Sequence, residues 1–269
     1  MHPFGMQTRI RAMKSLFVLP LALALTACAS HAPRSGFLTS YEGLAAKERA
    51  VRTGVTERKD PEALAGVRKV RLLPAELRLG PDGAWLTDDE RTLLLREVDA
   101  QLCFEVSERY EIVQDGADAK VRAAVTRVAP TGRVSSAASA AASIFIPGPL
   151  GVRPGGLGGI SAEAEMLSPQ DRQIAALTWN RNATAVGTDN PSLSRIGDAL
   201  QFVEPFADTA AATMTAPDVK PPGPPTPDPC AEYGPRIRPE GWLAKFATGL
   251  YVPQMSGARP EQAEPETTR

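Results

Sequence analysis

The chain has 269 residues, of which 43% are hydrophobic and 23% charged, and its formal net charge is −1. Such a composition excludes a disordered polymer and a multi-spanning membrane protein, and it is enough for a buried core. Aromatic residues make up 6% and the lysines and arginines are scattered, so there is no stacking platform or basic stripe, and no nucleic acid is expected as a partner.

Residues 1–27 read as a signal peptide. Arg9, Arg11 and Lys14 precede an apolar run from Leu16 to Leu25. That run has the length of a signal-peptide core and is too short for a bilayer, which needs about 20 apolar residues. Met1, Met6 and Met13 all precede it, and the export signal is complete from Met6, so the starting methionine stays open. The run ends in Leu25-Thr26-Ala27-Cys28, which has the form of a lipobox. Small residues let the backbone enter the lipoprotein signal peptidase, and the Cys28 thiol supplies sulfur for a thioether to diacylglycerol. The plainer alternative is an ordinary secretory signal beside a chance cysteine. Lipidation at Cys28 makes the membrane a partner, since each buried CH₂ contributes about 0.8 kcal/mol and two acyl chains anchor stably. Ala29 and Ser30 follow, with no aspartate beside the cysteine. The expected address is therefore the outer membrane of a Gram-negative bacterium, with the domain facing the periplasm. Without residues 1–27 the formal charge becomes −4, because three bases and no acid are lost.

Residues 28–66 read as a lipidated N-terminus and tether, polar and without a sustained period apart from a short possible helix over 40–52. A strand is expected from Val67 to Leu73 and resumes at Leu77-Arg78-Leu79 after Pro74, whose missing N–H suggests an edge or a bulge. Gly80-Pro81-Asp82-Gly83 makes a turn. Thr87-Asp88-Asp89-Glu90 is a capping box that starts a helix. Leu95, Val98, Leu102 and Val106 form its core stripe, and Leu93 and Phe104 fall on the opposite side, to be covered by the tether, the C-terminal tail or a partner. Tyr110 to Val113 and Lys120 to Val128 read as an antiparallel hairpin joined at 114–118. Ile160, Ala162, Ala164 and Met166 alternate with Ser161, Glu163 and Glu165, and Ala175, Leu177 and Trp179 share a face beyond the turn at 168–171, a second hairpin. A second helix runs from 192 or 194 to about 214, with Pro205 expected to bend it.

These elements predict one α+β periplasmic domain over 67–214, a small mixed or antiparallel sheet with two helices packed on one face. It carries a long Ala/Gly/Pro insertion at 131–158. That insertion reads either as an ordered Ala-rich helical turn followed by a flexible Gly/Pro loop or as a segment that meets a membrane or another subunit through Ile144, Phe145 and Ile146. Residues 215–269 read as a Pro-rich linker and a mostly disordered tail. Within them Trp242, Leu243, Phe246, Leu250 and Tyr251 have the spacing of a short amphipathic helix, docked on its own domain or on a protein or lipid surface.

The two histidines are His2, in the signal peptide, and His31, in the tether. The domain therefore carries no Ser-His-Asp or Cys-His catalytic set and no histidine-ligated zinc. Asp88, Asp89 and Glu90 serve a helix start and Asp115 and Asp118 a turn, so no paired-carboxylate site stands out. The Gly155-Gly156-Leu157-Gly158-Gly159 run lacks the strand, helix and Lys-Ser/Thr pair of a phosphate loop. No catalytic residue, cofactor, metal or small-molecule substrate is assigned, and the chain is not expected to be an enzyme. Cys103 and Cys230 remain as an even pair in an oxidising compartment: a disulfide would staple the tail to the domain, or one thiol is buried and the other free.

Ser35-Gly36-Phe37-Leu38 with Tyr41 just after the lipobox, the strand near Val70, the helix from Asp88 and the Tyr110-Glu111-Ile112-Val113 strand resemble a known family. The family they resemble is that of the uncharacterised bacterial lipoproteins grouped as domain of unknown function 3313, and the resemblance covers most of 35–214. The insertion and the Pro-rich tail depart from that pattern. The resemblance implies an envelope lipoprotein and brings no catalytic or ligand residues. The expected role is a non-enzymatic binding or accessory protein with an envelope protein partner. The alternative is an oligomeric membrane-active or secretion component that inserts the 131–158 loop.

Overall fold

The structure, a computed structural model, describes residues 34–47, 53–132, 157–184, 189–217 and 219–258, and the backbone alone of 151–152 and 186–187. The signal segment, Cys28 and residues 133–150 of the insertion lie outside the described residues.

Among the described residues there are ten strands: β1 (Ala45–Ala46), β2 (Gly54–Lys59), β3 (Lys69–Leu72), β4 (Glu76–Leu77), β5 (Glu111–Ile112), β6 (Ala119–Ala129), β7 (Gly151–Val152), β8 (Gly159–Leu167), β9 (Gln173–Asn182) and β10 (Val186–Gly187). Eight of them form one mixed, open sheet in the order β1-β2-β9-β8-β6-β3-β5, with β4 also on β6, while β7 and β10 pair separately. The helices among the described residues are α1 (Pro61–Ala65), α2 (Asp88–Ser107), α3 (Gly197–Gln201), α4 (Val203–Thr213), α5 (Pro239–Thr248) and α6 (Pro253–Ser256). The fold is α+β, as the alternation of the sequence requires.

The β8–β9 hairpin forms in the expected register, with Ala162 opposite Trp179, Ala164 opposite Leu177 and Met166 opposite Ala175. This face and the matching residues of β6, Val121, Ala123 and Val125, meet α2 and α4 in the main core. The capping box forms as written: the Thr87 hydroxyl accepts from the Glu90 N–H, and the Glu90 carboxylate accepts from the Thr87 N–H. Leu94, Val98, Leu102 and Val106 line the core side of α2, spaced strictly by four, and Leu95 sits half-buried beside them. In α4, Val203, Phe206, Ala207 and Ala210 are buried, with Phe206 edge-on to Trp179 at 5.9 Å between ring centroids.

Several expectations are corrected. Strands β5 and β6 are not a hairpin: β3 lies between them, parallel to both. The Asp118 carboxylate accepts from the Arg68 and Lys69 N–H groups, so the 114–118 turn is tied across the start of β3 and hands the chain to its far side. Pro74 falls in the gap between β3 and β4, which pair in succession with the same strand, so β3 is no edge. The second helix breaks at Phe202 rather than Pro205. Pro205 sits in the first turn of α4, where its missing N–H costs no helical bond.

Residues 34–66 are no tether. Strand β2 pairs along β9, β1 pairs on β2, and α1 follows, so the expected helix over 40–52 is a turn and strand in its described part. Phe37 and Leu38 bury themselves on Ala124 and Ala176, on the sheet face away from the main helices. The tail is likewise ordered: 219–258 carries α5, α6 and a turn of 3₁₀ helix.

Candidate functional site

Chemically distinctive side chains collect in two places, one on each side of the sheet. On the first, alternation along β8 turns Glu163 and Glu165 away from the main core, and both are 0% exposed. A buried ionised carboxylate costs several kcal/mol unless it is paired and hydrogen-bonded. The 35–41 segment supplies those bonds. Glu163 accepts from Ser35 N–H at 3.1 Å, Ser35 Oγ at 2.6 Å and Tyr41 OH at 2.6 Å. Glu165 accepts from Thr39 N–H at 2.9 Å, Thr39 Oγ1 at 2.9 Å, Arg122 Nε at 2.7 Å and Gln173 Nε2 at 2.5 Å. Arg122 closes the arrangement, its guanidinium 4.6 Å from the Phe37 ring centroid and its Nη2 donating to Phe37 O at 3.0 Å.

Paired buried acids are a common look for acid–base chemistry. Here the carboxylates are covered by the chain's own segment, and the two clefts described below are lined by other residues. Their evident work is to clamp the N-terminal strap. Sequence reasoning placed Ser35-Gly36-Phe37-Leu38 and Tyr41 in a tether and read the glutamates only as the alternate positions of a strand. The available signal was two apolar residues flanked by hydroxyl side chains, set against two acids among alanines.

On the helical side, Cys103 and Cys230 form a disulfide with Cα atoms 5.8 Å apart. It fastens the Pro-rich tail along α2. Arg236 donates to Phe104 O and Ser107 Oγ, and its guanidinium lies 4.9 Å from the Phe104 ring centroid. Hydrogen bonds from Arg236 hold the Asp228 carboxyl below its ordinary range. Phe104, on the outer face of α2, is thus covered by the C-terminal tail. Glu97 is buried on the same side and accepts from Ala258 N–H and from Gln101 Nε2. Burial pushes its carboxyl above the ordinary range, against the pull of those two donors.

Two clefts open along this tail. One, of about 290 Å³, lies between α2 and α5 and is lined by Glu105, Glu204, Trp242, Lys245 and Tyr251 among others. The other, about 340 Å³, lies by β3 and β5 with Arg71, Asp99, Ile112, Glu232 and Tyr233 in its walls. Burial, helped by the Asp99 and Glu232 charges, pushes the Tyr233 hydroxyl up to about 12. Burial also raises Asp99. Among the described residues no group of three or more His, Cys, Asp or Glu side chains is placed to hold a metal.

A family model described as a protein of unknown function, DUF3313, matches residues 33–210. The chain belongs to that family. The DUF3313 region begins beside the strap, so Ser35, Tyr41 and the two clamped glutamates are part of the family unit. Cys103 lies inside that unit, and Cys230, α5 and α6 lie beyond it. No curated protein matches the chain. Among solved structures, a dodecamer of a point variant of PelC from Paraburkholderia phytofirmans is 11% identical with a TM-score of 0.36, covering 62% of this chain and 99% of its own. The PelC dodecamer from the same organism gives 10% and 0.35, covering 61% of this chain and 98% of its own. At that level the DUF3313 chain gains no function from the likeness.

Proposed function

We propose that this DUF3313 protein is a lipid-anchored, non-enzymatic binding or accessory protein of the Gram-negative cell envelope, held to the outer membrane through Cys28 with its domain in the periplasm. The observation that carries the reading is the clamp on the strap. The polypeptide just behind the lipobox is built into the sheet, which suits a domain designed to be held close to its anchor. Seven residues of advance separate Cys28 from Ser35, a reach of at most about 25 Å even when fully extended. The Cys103–Cys230 disulfide supports an oxidising compartment. The acids that most resemble a reactive pair, Glu163 and Glu165, are engaged in holding the strap, which supports a role in binding rather than in turnover.

Metabolic labelling with a palmitate analogue, combined with Cys28→Ser and separation of inner from outer membranes, tests the anchor. Labelled wild-type protein in the outer membrane and an unlabelled, released variant are expected. An unlabelled wild type sinks the reading. Crosslinking in intact cells then tests the binding role, which fails if no envelope partner is captured reproducibly.

A further inference from the structure

Helix α5 is built inside out. Gly241 is its buried residue, and a Cβ there would lie 2.6 Å from Ser256 Oγ and 2.8 Å from Met255 O, so the helix is seated by a glycine. The large apolar residues point the other way. Trp242, Leu243 and Phe246 are 63%, 56% and 81% exposed, and Ile237 and Met255 lie exposed nearby in sequence. Trp242 and Phe246 stack on each other at 5.7 Å between centroids rather than on the body. An amphipathic helix normally buries this stripe, and exposed clusters of such residues mark interaction surfaces.

We propose that α5 is an interfacial helix that lays its Trp242-Leu243-Phe246 face into the surface of a lipid bilayer. This inference rests on the anchored reading above, and the length of chain outside the fold supplies its argument. On that reading, with Cys28 within about 25 Å of Ser35 and a body of this size having a radius of gyration of roughly 17 Å, the bilayer stays within a few tens of ångströms of α5, although strap and tail lie on opposite sides of the sheet. The chemistry agrees. A short face of Trp, Phe and Leu is the composition of helices that lie in the membrane interface, where the indole sits at headgroup level. No described helix is long and apolar enough to cross a membrane, so α5 would lie along the surface. Arg236 and Arg238 are turned inward over Phe104, and Lys245 is the exposed base of α5, so the contact is chiefly apolar with one cation beside it.

The test uses the mature chain from residue 28 carrying Cys28→Ser and vesicles of phosphatidylethanolamine and phosphatidylglycerol, followed by flotation and by quenching of tryptophan emission with brominated lipid. The chain is expected to float with the vesicles at low and high salt alike. Adding Trp242→Ser and Phe246→Ser should weaken partitioning at least tenfold with an unchanged circular dichroism spectrum. Equal partitioning of the variant, or no partitioning at millimolar lipid, overturns the proposal. So does dimerisation in sedimentation that the same two substitutions abolish, which would give the face to a second copy. Because the probe protein has no acyl chain, failure here is distinct from failure of the anchor, which the palmitate experiment reads by itself.

Discussion

Single side chains decide whether the strap is a structural part. Tyr41 uses one hydroxyl three ways: it donates to Glu163 and accepts from the Gly36 N–H at 2.9 Å and the Leu38 N–H at 3.4 Å. Gly36 itself has φ +83°, a left-handed conformation that costs glycine little. Tyr41→Phe removes a charge-assisted bond from a buried carboxylate and should cost about 1.5–3 kcal/mol, read as a lower urea midpoint. Glu97 works in the opposite sense, because burial raises its carboxyl above the ordinary 4.5. An acid whose folded value is raised binds more protons folded than unfolded, so its environment weakens the fold as pH rises from that ordinary value through the folded one. Asp228, lowered from the ordinary 3.8 by Arg236, contributes above that value and loses its contribution as pH falls. Protection of tail amides in hydrogen exchange should therefore decline as pH is raised above about 4.5. Glu97→Gln, which keeps an acceptor for the Ala258 N–H, should flatten that decline; an unchanged profile would remove Glu97 as its source.

At the scale of elements, local patterns were legible and distant ones were not. The β8–β9 hairpin and the start of α2 follow from neighbours in sequence: alternation around a turn, and a hydroxyl three residues before a glutamate. Thr87→Ala should cost about 1 kcal/mol in thermal or urea unfolding, the usual value of an N-cap. The parallel insertion of β3 between β5 and β6 depends on a contact between Asp118 and the Arg68 and Lys69 amides, about fifty residues apart, which no periodicity carries. The strap was missed because Ser35, Thr39 and Tyr41 read as linker residues until the two glutamates they bind are placed opposite. The tail was missed for a similar reason: proline-rich composition describes an extended chain and not what it lies on. In this tail the disulfide closes a separation of 127 residues. Cys230→Ser should cost about 2–5 kcal/mol, mainly by freeing the unfolded chain. Hydrogen exchange should locate the loosening at 219–258, with the sheet amides still protected.

For the whole molecule, the question is where the foldable unit begins. An expectation of a tether over 28–66 implies that cutting the chain after Lys47 leaves the domain intact. The arrangement of the sheet implies otherwise. That cut removes β1, uncovers the apolar surface of Ala124 and Ala176, and takes away the three donors that reach Glu163 from Ser35 and Tyr41. Glu165 would keep Arg122 and Gln173 but lose both bonds from Thr39. Leaving a buried acceptor without its donors costs about 1–3 kcal/mol, more for a charged group, a large part of the about 5–15 kcal/mol by which a domain is stable. A chain starting at 48 is therefore expected to lose its cooperative unfolding transition, whereas one starting at 34 keeps it. Adding Glu163→Leu to the shorter chain removes the stranded charge and should recover part of the transition, because an apolar group needs no donors. If the shorter chain unfolded at the same urea concentration as the longer one, the strap would be a passive leader and the close hold on the anchor would lose its physical basis.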